Sequence, residues 1–217
     1  MNKKSFLTAS TLALAISAAT TAVYSAELEE IIVTAQKRAE SLQDVPISMS
    51  ALSGSTIKDN GIHSFQDLSG YVPNLEIAEN PVNTIITMRG IGIGSNQSFE
   101  QSVGIYVDGV HFGKSRQVRS GLFDVEQVEV LRGPQGILFG KNTLAGAINV
   151  TTASANVGDE FSGGIDVSQE SYNGQIVDAH IAGSVTDNLA LRFAIRDRTR
   201  DGLSLYTHLT LPTKVTV

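Results

Sequence analysis

Cysteine is absent from the 217 residues. That excludes a disulfide framework, a thiolate nucleophile and cysteine-based metal sites, and it fixes no compartment. Aromatic residues are few, at 6%. Positive charge is not in excess: the formal net charge is −6, which argues against a nucleic-acid binder, because phosphate calls for a basic patch. Past the N-terminus no apolar run could span a membrane as a helix, so a membrane position would require a β-barrel. Catalytic groupings are missing too. His63, His111, His180 and His208 are scattered without ligand spacing, and no G-x-S-x-G elbow occurs. Neither catalytic residues, metal ligands nor a cofactor are expected. Two stretches imitate a phosphate loop. In "GVHFGKS" Asp108 stands where the first glycine is needed, and in "GPQGILFGKNT" Gln135 does, with Asn142 replacing the Ser/Thr. "GIGIG" at 90–94 opens no helix-like pattern, so a dinucleotide loop fails in context.

What is present is a leader and a set of short strands. Lys3 and Lys4 precede "FLTASTLALAISAATTAVYSA", a signal peptide over 1–26 with cleavage after Ser25 or Ala26. With 41% apolar, 18% charged and 20 glycines, the remainder reads as folded and rich in turns. "VPISMSAL" reads as a strand and "SGSTIKDNGI" as a short helix stopped at Asn60-Gly61. A second helix is expected in "HSFQDLSGYVPNL", with Ser64 and Asp67 forming a variant capping box. "NTIITMRGIGIG", "DVEQVEVLRG" and "GAINVTTA" are strands, and Asp108-Gly109 centres a hairpin. Glu126 and Glu129 are three apart on one strand, so they face opposite ways and form no carboxylate pair. Solvation or ion pairing is the expected use of these charges. The expectation for 45–157 is an α+β domain with a mixed sheet and short helices.

From Val157 onward the pattern alternates with period two. Odd positions are apolar: Phe161, Ile165, Val167, Val177, Ala179, Ile181, Val185, Leu189, Leu191, Phe193, Ile195. Even positions are polar apart from Ile176 and the small residues. A transmembrane barrel strand reads so, and so does a sandwich strand. Register narrows the connections. Odd positions must face one side in every strand, so each connection needs an odd residue count. A three-residue loop near Asn173-Gly174, with the glycine in a bulge, meets the rule. So does pairing Val185 with Leu189 across Thr186, Asp187 and Asn188. The expectation over 158–201 is a three-stranded antiparallel β-meander with Arg192, Arg196 and Arg198 on the polar face. It is incomplete as a barrel, which needs at least about eight strands.

"VEQVEVLRGPQGILFGKNTLAGAINVTT", with "IYVDGV", "MRGIG" and "EIIVTAQKR", resembles the TonB-dependent outer-membrane receptors over roughly 29–201. The resemblance implies a plug domain filling a large barrel, active uptake of a scarce ligand (ferric siderophore, cobalamin, haem or glycan), and no enzymatic activity. It implies a TonB box at Glu30, Ile31, Ile32, Val33, Thr34 and Ala35, reached by a TonB-type energy-transducing partner through β-augmentation. Ile-Ile-Val fits equally well as a first strand packed into the plug. Arg89 and Arg132 match the family's plug arginines that pair with glutamates of the barrel wall; pairing inside the plug, for instance Arg132 with Glu129, is the alternative. Ser95, Asn96, Gln97, Phe99, Phe112, Arg116 and Arg119 fall in loops that the resemblance directs at the outer mouth, where ligand would bind. Gly90, Gly133 and Gly140 serve backbone conformation.

The division expected is signal peptide 1–26, TonB box and linker 27–44, plug 45–157 and first barrel strands 158–201. The barrel pattern stops after Asp201, and "YTHLTLPT" resembles a translated sequencing adapter. Residues 202–217 are therefore expected to be non-native and the chain to be the N-terminal part of a longer receptor. The competing readings are a periplasmic plug-like binding module without a barrel and a secreted hydrolase on a β-rich scaffold. The location implied is the bacterial outer membrane, with plug and box reachable from the periplasm.

Overall fold

The computed structural model describes residues 31–34, 38–80, 83–92 and 100–201. Strands occur at β1 Ile32–Val33, β2 Glu40–Ser41, β3 Met49–Ser53, β4 Leu75–Glu79, β5 Thr84–Met88, β6 Ile91–Gly92 and β7 Val103–Val107. They continue with β8 Val110–His111, β9 Val125–Arg132, β10 Gly146–Thr152, β11 Ser162–Glu170, β12 Gly174–Thr186 and β13 Leu189–Thr199. Two short α-helices, α1 Gly54–Asp59 and α2 Gly136–Phe139, and two 3-10 turns, Gln66–Gly70 and Ser115–Ser120, connect them.

The N-terminal domain is built on a five-stranded sheet in the order β3-β9-β10-β7-β8. It is mixed: β10 runs parallel to β7 and antiparallel to β9. Alternation along β9 sends Val128 and Val130 into a core with Ile57, Phe65, Leu68, Met88, Ile105 and Ile148. A side chain at Gly146 would collide with Met88 and with the Leu131 carbonyl, so this position is closed to anything larger. A three-stranded sheet, β4-β5-β6, supplies Ile77, Ile86 and Met88 to the same core.

Local chemistry explains the connections. Ser53 caps α1 through the Thr56 N–H. Ser64 and Asp67 form the anticipated reciprocal box: Asp67 accepts from the His63 and Ser64 N–H groups, and the Ser64 hydroxyl accepts from the Asp67 N–H. The turn it opens is 3-10 rather than α, because Pro73 leaves only one turn before the chain must extend. Asp108 and Gly109 have φ of 49° and 79°, the left-handed pair a two-residue hairpin needs, and Tyr106 faces His111 across it.

Strands β11–β13 form a separate antiparallel meander. Glu170 pairs with Gly174 across Ser171, Tyr172 and Asn173, the three-residue loop that parity required. Its left-handed residues are Tyr172 and Asn173; Gly174 already starts the strand, correcting the expected glycine bulge. The second connection also differs from expectation. Thr186, not Val185, faces Leu189, so Asp187-Asn188 is a two-residue turn. A bulge between Ser184 and Thr186 absorbs Val185, and one extra residue restores the face that an even loop would invert. Ile181 thus stays beside Phe193 and Ala179 beside Ile195.

Candidate functional site

Three features of the molecule bring functional candidates together. The first is the N-terminal strand. Ile32 faces Ser41 and Val33 faces Glu40, and the Leu42 N–H donates to the Ile31 carbonyl at 3.0 Å. Val33 is 1% exposed while Ile32 is 47% exposed, so alternation seats one side chain and leaves the next in solvent. The segment crosses β9: the Gln127 amide donates to the Ile32 carbonyl at 3.0 Å, and the Thr34 N–H and hydroxyl donate to Glu129 Oε1. In this structure Ile32 and Val33 form a strand paired with β2 and held against β9. Glu30 and Ala35 lie outside the described residues.

The second feature is the pair of arginines. Arg132 donates to the Ser48 hydroxyl at 3.1 Å, the Met49 carbonyl at 3.0 Å and the Pro73 carbonyl at 3.4 Å. It is held within its own domain, but by neutral oxygens rather than by Glu129. Glu129 stands on the other side of the sequence triplet and is occupied by Thr34 and by the Asn149 amide at 2.9 Å. Arg89 is exposed, in a left-handed conformation with φ of 51°, and its N–H donates to the Asn74 carbonyl. Its guanidinium lies over Gly133, so both arginines sit about the same turn. Among the described residues neither is paired with a carboxylate.

The third is the seam between the N-terminal domain and the polar face of the meander. Arg192 grips Asp124 with two parallel bonds, Nε to Oδ2 at 2.8 Å and a terminal nitrogen to Oδ1 at 2.6 Å. Arg196 is forked onto Asp178, donates to the Leu122 carbonyl and lies 5.1 Å from the centre of the Phe123 ring. Three consecutive residues, Leu122 to Asp124, are therefore held by two meander arginines. Asp124 has φ of 49°, a strained conformation for a non-glycine, sustained by its contacts on both sides: its carboxylate on Arg192 and its carbonyl on the Ala153 N–H. Lys58 reaches Asp166 at 2.6 Å across the same seam. Between these ties lies a cleft of about 610 Å³ lined by α1, the Leu122–Val125 segment and meander residues that are mostly even-numbered.

Of the expected ligand contacts, Ser95, Asn96, Gln97 and Phe99 lie outside the described residues. Phe112 is half-buried against the core, and its N–H donates to the Ile105 carbonyl at 2.8 Å; it packs rather than standing free. Arg119 is turned onto the β4–β5 turn, donating to the Asn80 carbonyl and the Thr84 hydroxyl. Arg116 is exposed. Nearby, Lys141 bonds Glu100 at 3.0 Å. That hydrogen bond, then the lysine charge, holds the Glu100 carboxyl below its ordinary range. Burial raises the Tyr106 hydroxyl, which donates to the Phe139 carbonyl. Sequence reasoning considered Glu129 only as a solvated charge or a partner of Arg132, and it named neither Asp124 nor Gln127 as a contact. The one signal available was Glu129 between Val128 and Val130, and it reads the same on a solvated face.

The meander's odd face is bare. Phe161, Ile165, Val167, Leu191, Phe193 and Ile195 are all more than half exposed. Residues 41–147 match the family model for the TonB-dependent receptor plug domain. The chain belongs to the TonB-dependent receptors. It is similar to the pesticin receptor of Yersinia pestis, 32% identical over 167 residues, covering 72% of this chain and 24% of that protein. It is also similar to the iron-regulated outer membrane virulence protein of Vibrio cholerae, 28% identical over 192 residues, covering 80% and 28%. Among solved structures, the ferric yersiniabactin uptake receptor FyuA of Yersinia pestis superposes with a TM-score of 0.62 at 28% identity, covering 69% of this chain and 24% of that one. The chain thus spans about a quarter of the length of these relatives. In TonB-dependent receptor terms, the five-stranded domain is the plug and β11–β13 are strands of the barrel wall.

Proposed function

We propose that the chain is the plug and first wall strands of an outer-membrane receptor for active uptake of a scarce iron chelate, a siderophore-class ligand. Cobalamin, haem and glycans are the other ligand classes in view. The division is box and linker at 27–44, plug at 45–157 and wall at 158–201. The Glu30–Ala35 box meets a TonB-type partner on the periplasmic side. Ligand binds outside, and it can drive coupling only if it favours the state in which the box is available. Arg89 and Arg132, grouped about one turn, offer the plug's positive charge to wall glutamates; pairing with a carboxylate would turn their present contacts into a latch. Of the ligand candidates among the described residues, Arg116 and Arg119 are exposed.

The observation that carries this reading is the inverted meander. Its polar face is ion-paired to the plug, and its apolar face is exposed. That apolar band ends at Val167 and Val177, whose row already includes Asp197; the next outward row, Gln169, Gln175 and Thr199, is polar. A bounded apolar band outside and charge inside is how a lipid-facing wall is made. A periplasmic module without a barrel would hold the same band in water. The V. cholerae relative's name, iron-regulated, and FyuA's ferric ligand direct the ligand class toward iron chelates.

The test is radioiron uptake by cells expressing the receptor from its own locus, with ferric siderophores supplied one at a time. Uptake of at least one is expected, dependent on the TonB-type partner and abolished by Ile32→Pro, which removes a ladder donor. Uptake of none, with the protein confirmed in the outer membrane, overturns the ligand class.

A further inference from the structure

We propose that Glu129, assisted by Gln127, is the clasp that docks the N-terminal strand and sets how readily a partner captures it. This rests on the reading of Glu30–Ala35 as the partner-binding peptide. Glu129 is fully buried, yet among the described residues no cation is one of its hydrogen-bond partners. Its donors are the Thr34 N–H, the Thr34 hydroxyl and the Asn149 amide. A buried carboxylate depends on such donors, and two of the three come from one residue of the docked strand. Gln127, two positions earlier and so on the same face of β9, holds the Ile32 carbonyl.

Little else in the strand's pairing fixes it. The β1–β2 ribbon has two residue pairs, and so short a ribbon is marginal alone. If packing alone were needed, an apolar residue at 129 would seat the strand without a desolvated charge. The carboxylate instead makes docking conditional: when Thr34 leaves, Glu129 loses its main-chain donor. A partner that takes the strand must then compete with the clasp, and its apparent affinity falls by the fraction of strands that are free.

The absence of cysteine allows a single spin label at Ile32→Cys in the 217-residue chain, read by its mobility. In the otherwise native chain the label is expected to be immobilised. Glu129→Ala should shift the docked-to-free ratio by about tenfold or more, as for loss of a hydrogen bond to a charged group. Glu129→Gln, which keeps an acceptor oxygen, should fall between. If Glu129→Ala fails to fold by circular dichroism, Thr34→Pro decides, since it deletes the donor and leaves the buried site intact. A label already mobile in the native chain, or equally immobile in Thr34→Pro, overturns the clasp. With the isolated periplasmic domain of a TonB-type protein, the Glu129→Ala or Glu129→Gln chain, whose box is unaltered, should bind more tightly than the native one, by up to about tenfold. A peptide spanning 29–38 reports the box without the clasp. Equal affinity of both chains removes the clasp from partner capture. Release without any binding, of chain or peptide, refutes the partner reading and leaves the clasp standing.

Discussion

The plug sheet and the wall meander use the same period-two alternation with opposite burial. In β9 and β10, Val128, Val130, Ile148 and Val150 turn inward and are closed off from solvent. In β11–β13 the apolar set turns outward, and the polar set carries the contacts to the plug. Period two tells a strand which residues go together. It does not tell which group is inside, because that depends on the solvent beyond the far face. Where that solvent is water, the apolar face is buried; where it is hydrocarbon, the polar face is.

The comparison breaks most visibly under matched truncations. Phe65→Ala in the plug core should cost ~3–5 kcal/mol, read as a fall in the denaturant midpoint of the detergent-solubilised chain. Phe193→Ala on the outer wall should stay within about 0.5 kcal/mol in the same assay. Equal losses would mean that the wall face is covered. The next effect belongs to the bilayer. Phe193→Arg should cost ~2–4 kcal/mol if the position lies near the midplane, measured as reversible folding of the membrane-inserted receptor.

A smaller effect tests the seam. Asp124→Ala and Arg192→Ala should each loosen the plug from the wall by ~1.5–3 kcal/mol, the range for a hydrogen-bonded charge. The double variant should lose less than the sum, and the exchanged pair, Asp124→Arg with Arg192→Asp, should recover part of it. Strict additivity would make the bidentate contact incidental. Lys58→Ala should change stability least, by about 0.5 kcal/mol or less, and less still in high salt. Its side chain and that of Asp166 are 59% and 41% exposed, so solvent screens the pair.

Much of this was legible beforehand for physical reasons. Asp108-Gly109 could only be a tight turn, and the Ser64–Asp67 box needed nothing beyond its own four residues. Parity called for an odd connection between β11 and β12, and the three-residue Ser171–Asn173 loop supplies it. What escaped depended on contacts between distant parts of the chain. Glu129 and Thr34 are 95 residues apart, and no local pattern separates a buried clasp from a solvated charge. Arg132 kept its predicted place in the plug, but its partners are carbonyls and a serine hydroxyl that no charge pattern could nominate. In sequence Asp124 is one more acid at the head of "DVEQVEVLRG"; its left-handed turn and the Arg192 fork belong to the wall laid against the plug.

The bulge at Val185 has a consequence for how such walls change over generations. Because one looped-out residue can flip parity, the turn after β12 is free to gain or lose a single residue as long as the bulge is lost or gained with it. Insertions there would be tolerated in coupled pairs and rejected singly. Turn length becomes a drifting quantity, while the side of the wall that meets lipid is inherited unchanged.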